Sequence, residues 1–339
     1  MNKGKYILKC WTTIYYYNNQ CILRLKRNHR KYSNAILLLI SPYIIIRFLI
    51  CKLLEPGFAI SVSARRKKEQ KRIFNHELAI VSIAKNEGPY VKEWIEYHRL
   101  VGVSHFYFYD NESEDGTLEI LKPYIEDGTV TYTLIRGKAR QLDAYNDAIK
   151  RFKDECRYMA FIDLDEFLKP TVAFKPIYEI VNEVLATYGK GASGMGVNWA
   201  IFGSSGHKQT PKGLTISNFI KRGNNRCSGN AHIKTICNPR EISYYISSHY
   251  PLYKLGAYSV NETGEERLYV WFSDKREYRN LRINHYYIKS MEQFQKEKAR
   301  RGLGDRIGTY DMSGFYQYDL NEVEDRGMEI YAEKLNISQ

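Results

Sequence analysis

Acidic residues are nearly missing from the first 76 positions of this 339-residue chain. That stretch holds 2 of the 38 Asp and Glu against 16 of the 51 Lys and Arg, a net charge of +14. Residues 77–339 come to −1, so the overall +13 belongs to the head and not to the body. A nucleic-acid-binding domain would carry its basic residues on the folded body. The 29 tyrosines would suit such a module, but the charge map argues against one. Paired cysteines are missing too. The six, at 10, 21, 51, 156, 227 and 237, form no C-x-x-C pair and no metal-ligand spacing. They read as reduced residues and favour a cytosolic body. No internal repeat is present, and no small-x-small site follows the single long apolar run, which starts too late for a secretory signal.

That run, Ala35 to Leu54, lies between the basic stretches "RLKRNHRK" and "ARRKKEQKR". It is near the length of a membrane span, but Pro42, Arg47 and Lys52 interrupt it. Three roles stand open: a helix lying in the interface with its cations snorkelling, a single span, or a core helix of the main domain. The first two bring the chain to an anionic membrane surface through the basic segment 1–76.

The pattern changes at Glu77, and 44% hydrophobic content supplies a core for one large domain. "ELAIVSIA" is a short apolar run, after which Val91, Trp94, Ile95 and His98 share a helical face. "HFYFYD" and "TVTYTLI" read as strands, "RQLDAYNDAIKRF" as a helix with Leu142, Tyr145, Ile149 and Phe152 toward the core, and "YMAFID" as a fourth strand. Such alternation predicts a Rossmann-like α/β fold, a mainly parallel sheet with helices on both faces. Ligands of these sheets collect at the carboxyl ends of the strands, where "KNE", "YDNES" and "DLDE" all fall. Residues 189–284 read as strands and long loops, "KSMEQFQKEKARRG" as a basic helix, and 321–339 as a C-terminal helix and tail after a domain spanning 77–320.

"YMAFIDLDEF" carries the sharpest chemistry, because burying unpaired carboxylates is costly. If the strand runs on, Asp163 and Asp165 project to one side and form a hard oxygen site suited to Mg²⁺ or Mn²⁺ with phosphate oxygens. The bland alternative is a solvated turn. Asp110, ending its strand, either accepts turn N–H groups or contacts a nucleotide. A nucleotidyltransferase or pyrophosphorylase would share these features but would bring a glycine-rich loop, and "SIAKNEGPY" has Gly88 alone.

Four blocks, "AIVSIAKNEGPYVKEWIEYHRLVGVSHFYFYDNESEDGT", "YMAFIDLDEFL", "NWAIFGSSGH" and "INHYYIKSMEQFQKEKARRG", resemble in order those of glycosyltransferase family 92 and its family-2-like relatives, over roughly residues 78–303. The resemblance implies the GT-A type nucleotide-sugar transferase fold and inverting transfer of a hexose, galactose first, from a UDP-sugar to a glycan or lipid-linked saccharide. It implies Asp163 and Asp165 as the metal motif, with Asp165 ahead as direct ligand, and His285 as the residue that completes the shell around Mn²⁺ or Mg²⁺. Asp110 matches the acid that contacts the base, and Asn86 and Glu87 match the first nucleotide-binding loop. Gln141 and Asn146, off the core face of their helix, either complete the nucleoside pocket or are solvated. Lys234 either sits near the leaving phosphate or on the surface, and Trp199 and Trp271 either stack on a sugar or fill the core. Inversion needs a general base; His207, His249 and Glu166 are the candidates, and spacing does not choose among them. The expected protein is a membrane-associated enzyme with its catalytic domain on the cytosolic side.

Overall fold

The computed structural model describes residues 57–58, 60–187, 191–265, 267–268, 271–298 and 311–335. The apolar stretch 35–54 lies outside them. Helix α1 (60–69) precedes strand β1 (His76–Ala84), helix α2 (Gly88–Leu100), β2 (His105–Asp110), α3 (Thr117–Glu126), β3 (Val130–Leu134), α4 (Gln141–Phe152) and β4 (Cys156–Phe161). Then come β5 (Glu166–Pro170), α5 (Ile177–Thr187), β6 (Ala192–Ile201), β7 (Lys221–Arg222) and β8 (Ile233–Cys237). β9 (Ile242–Ser247), β10 (Tyr250–Tyr253), β11 (Tyr258–Asn261), β12 (Arg267–Leu268), β13 (Leu281–His285) and β14 (Val323–Glu324) complete the strands.

The main sheet runs β12-β11-β6-β8-β4-β1-β2-β3, with β13 joining β6 to β5. Strands β4, β1, β2 and β3 are mutually parallel, so the expected mixed α/β fold with a mainly parallel sheet is the one present. Alternation explains why both faces are covered. Ile80, Phe106, Phe108 and Ala160 pack with α2, α3 and α5 on one face. Val81, Tyr107, Tyr109 and Met159 pack with α4 and the β9-β10 hairpin on the other. Antiparallel β8 fits between β4 and β6, which brings the first residues of β8 to the carboxyl end of β4.

Two expected boundaries move. Helix α1 belongs to the body: Val62 is buried, Arg65 grips the Glu241 carboxylate at 2.8 Å, and Arg240 grips Glu69 at 2.7 Å. Part of the basic run is therefore structural. Residues 321–335 also belong to the body, and only Glu329–Ala332 of the expected terminal helix is helical. Tyr331 is buried against Tyr97 and Phe174, and Asp325 pairs with Arg222 and Arg282 at 2.7 Å each. Among the described residues no helix is long and apolar enough to cross a membrane.

Candidate active site

Helix α2 sets the position of the "DLDE" segment. Its buried side chains reach the backbone of β5, the strand that follows: Trp94 Nε1 donates to Glu166 O at 2.9 Å and Tyr97 OH to Leu168 O at 2.8 Å. His98 accepts Leu168 N–H on Nε2 at 3.2 Å, with Nδ1 2.8 Å from Trp94 O. The other edge of β5 pairs with β13, in a register that sets His285 opposite Glu166. Tyr286 N–H then donates to Asp165 O at 2.8 Å. A histidine 120 residues downstream thus arrives beside Asp165 through ladder geometry.

The extended-strand expectation for the two aspartates needs correction. β4 ends at Phe161, and Asp163 and Asp165 lie in the turn before β5, so their side chains have separate partners. Asp163, about a third exposed, accepts Gln141 Nε2 at 2.6 Å and Lys234 Nζ at 2.8 Å. Asp165 is buried; Oδ1 faces His285 Nε2 at 3.4 Å and Oδ2 accepts Lys298 Nζ at 2.7 Å. Burial alone would raise the Asp165 carboxyl, but Lys298 and His285 outweigh it and hold the group well below the usual carboxylate range. Burial also works against the charge on Lys234, and Asp163 and Glu166 more than offset it.

Glu166 does not face an acceptor. It is fully buried, Oε2 accepts the Asp163 N–H at 2.8 Å, and burial pushes its pKa well up. Its role is to hold the turn, which corrects its place among the bases. His207, on the loop after β6, points Nε2 at Asn218 O at 3.2 Å, again a structural tie. His249 lies 5.2 Å from the Trp199 ring, with Nδ1 3.0 Å from Ile233 O, and burial followed by the nearby Lys234 keeps it neutral. Trp199 stacks on His232 and meets His285 at 4.3 Å, so histidines cover the surface offered to a sugar. Trp271 packs partly buried against the α4 side of the core.

The nucleotide-side candidates separate. Asn86 accepts Glu114 N–H at 2.8 Å and thereby holds the loop after β2, while Glu87 is buried with Lys289 Nζ 3.7 Å away. Of the two roles open to Asp110, the structure shows the turn: Oδ1 accepts Ser113 N–H at 2.9 Å and Oδ2 accepts Tyr132 OH at 2.8 Å. Gln141 is buried at the start of α4 and serves Asp163. Asn146 bonds Tyr245 N and O and ties α4 to β9, so it is not a freely solvated helix polar.

Two lysines escaped sequence reasoning. Lys298, at the end of the π turn Phe294–Lys298, and Lys289 are both buried beside Asp165 and Glu87. Lys289 lies 3.0 Å from the Tyr90 ring centroid, and burial lowers its pKa to about 8. A cavity of about 20 Å³, room for one water-sized guest, separates these groups. A larger cavity of about 260 Å³ lies at the opposite end of the sheet beneath α1, away from Asp163 and Asp165.

A divalent cation fits the pair Asp165 and His285, an oxygen and a nitrogen donor at a separation one ion can bridge. His285 Nδ1 is buried without a hydrogen-bond partner. Among the described residues no three His, Cys, Asp or Glu side chains converge on one point, so an ion there would need substrate oxygens or water for its remaining positions.

Residues 83–303 match the family model of glycosyltransferase family 92. The chain belongs to that family. A family 92 protein of Arabidopsis thaliana is 35% identical over 104 residues, 30% of this chain and 18% of that one. Galactan beta-1,4-galactosyltransferase GALS3 of the same plant is 31% identical over 148 residues, 40% of this chain and 28% of that one. These matches span less than a third of the relatives' own lengths. Among solved structures, S. aureus TarS 1-349 in complex with UDP aligns at a TM-score of 0.33 and 14% identity, covering 48% of this chain and 47% of that one.

Proposed function

We propose that this family 92 chain is a metal-dependent, inverting glycosyltransferase that moves a hexose from a UDP-sugar to a glycan or lipid-linked saccharide. The observation that carries the proposal is the convergence of Asp165, His285, Lys298 and Lys234 at the carboxyl end of the parallel strands. Galactose is the first donor to try, since two relatives bear the name galactan beta-1,4-galactosyltransferase. Family membership disfavours the nucleotidyltransferase alternative.

Transfer breaks the bond between the anomeric carbon and the diphosphate, and negative charge gathers on the departing oxygen. Asp165 and His285 would hold a cation, Mn²⁺ or Mg²⁺, which would supply Lewis acidity to stabilise that charge. Lys234 adds a fixed positive charge beside Asp163, and Glu166, through the Asp163 N–H, keeps the turn in register. Of the three candidate bases, His249 suits the acceptor hydroxyl: it is neutral, anchored through Nδ1, and set among Trp199 and His232 near Lys234.

Incubating the full chain with Mn²⁺ and each UDP-, GDP- and CMP-sugar tests this. The expected result is hydrolysis or transfer from one UDP-sugar above the rest; activity on none of them overturns the reading. We also propose that the basic segment 1–76 brings the enzyme to an anionic membrane, with the catalytic domain on the cytosolic side. Its charge supports this, at about 1 kcal/mol per cation near such a surface. Release by carbonate would mark peripheral attachment and release by detergent alone an inserted segment. Failure of the full chain to bind anionic vesicles at low salt would overturn both.

A further inference from the structure

The proposed function places Lys298 among the converging groups but gives no task to its ammonium, which rests on Asp165, the carboxylate proposed for the cation. Lys298 is 7% exposed, and Nζ donates to Asp165 Oδ2 at 2.7 Å and to Tyr287 O. Asp165 Oδ1 faces His285 on the other side at 3.4 Å. A divalent cation on Asp165 and His285 would therefore share a single carboxylate with a like charge, in a site shielded from water. The small cavity bounded by Asp165, Glu87, Lys289, Glu297 and Lys298 offers an ammonium head somewhere to move. The residue type suits that motion. Lysine is a compact point charge on a flexible stem, and π turns such as the one it ends are frequent at functional sites.

We propose that Lys298 is a diphosphate-binding residue that occupies Asp165 until the donor arrives: ammonium and divalent cation compete for the carboxylate, and the donor diphosphate draws the ammonium away. The proposal rests on the metal and UDP-sugar reading above. By linkage, Mn²⁺ binds weakly to the free enzyme, and the relief of this competition adds to the coupling between Mn²⁺ and nucleotide.

The test is calorimetric titration of the full chain with Mn²⁺ alone and with UDP in saturating Mn²⁺, for wild type, Lys298→Met, Lys298→Arg, Asp165→Asn and the exposed control Lys296→Met. Lys298→Met is expected to bind Mn²⁺ alone several-fold more tightly and UDP about tenfold more weakly. Lys298→Arg should recover part of the UDP affinity, and Lys296→Met should match wild type. Weakening of both ligands together would mark a structural role and overturn the inference. So would unchanged Mn²⁺ affinity with UDP alone weakened, which would mark a phosphate contact without competition. If wild type binds no Mn²⁺ and Asp165→Asn keeps full UDP affinity, the metal reading itself falls and takes this inference with it. Should Lys298→Met fail to fold, Lys298→Gln removes the charge while keeping a polar head, and it carries the same expectations.

Discussion

Both ends of the central sheet carry buried ion pairs, but they use different cations. At the carboxyl end the positive partners are lysines: Lys234 on Asp163, Lys298 on Asp165 and Lys289 near Glu87. At the amino end they are arginines. Arg240 donates through Nε to both oxygens of Glu69, and through its outer nitrogens to the carbonyls of Lys153, Cys156 and Arg157; Arg65 grips both oxygens of Glu241. A guanidinium spreads five donors in a rigid plane and is hard to displace once they are met. An ammonium is a point charge that can change partners. The contrast separates an end built to clasp helix α1 from an end whose charges can be exchanged for a ligand's.

The strongest attack on this comparison is Asp165→Asn, which keeps shape but removes charge at the exchanging end. Turnover should fall about a thousandfold or more, the scale of several kcal/mol of lost transition-state stabilisation, and the melting temperature should fall as well, because Lys298 is left buried without its carboxylate. A drop in melting temperature with activity retained would show that the end is structural. Next are the reciprocal swaps. Lys234→Arg keeps charge but forces a larger planar group into a site that is 1% exposed, and turnover should fall about a hundredfold through misplacement of Asp163. Arg240→Lys should cost about 2–3 kcal/mol in urea unfolding, because one ammonium cannot serve a carboxylate and three carbonyls, while activity per folded molecule holds. Equal loss of activity in both swaps would erase the distinction between the two ends.

A smaller effect comes from His98, which stands between the ends and must stay neutral. Burial lowers its pKa to about 3, and its Nε2 is already occupied by the Leu168 N–H. The unfolded chain therefore takes up a proton that the folded one refuses. The stabilisation is complete above pH 6.5 and is lost as pH falls toward 3; the step from 6.5 to 5 costs about 1.5 kcal/mol. Unfolding curves at pH 7, 6 and 5 should show a slope at least this steep, and His98→Gln should reduce it by that amount, the remainder coming from other buried histidines such as His105 and His249. Least of all, Lys296→Met removes an exposed pair with Glu292 and should shift stability by less than about 0.5 kcal/mol.

Local pattern and block order were enough to determine the β/α alternation, the parallel core strands, the family, and the place of Asp110, Asp163 and Asp165 toward the carboxyl end of the sheet, but not the turn that separates the last two. Those features depend on residues two to four apart, or on the order of segments, and periodicity reports both directly. The partners of each charge were settled only by the tertiary structure. Gln141 and Asn146 look alike on a helical wheel, yet one serves Asp163 across 22 residues and the other ties down β9 across 99. Arg65 and Arg66 read as part of a basic run facing a membrane until Glu241 and the Ala192 carbonyl, more than 120 positions away, turn them into a clasp. Lys298 reads as one basic residue among several on a surface helix until β13 and the turn after it bring it onto Asp165, 133 positions back. Desolvation and hydrogen-bond satisfaction decide the fate of such groups, and both are set by neighbours that no local window contains.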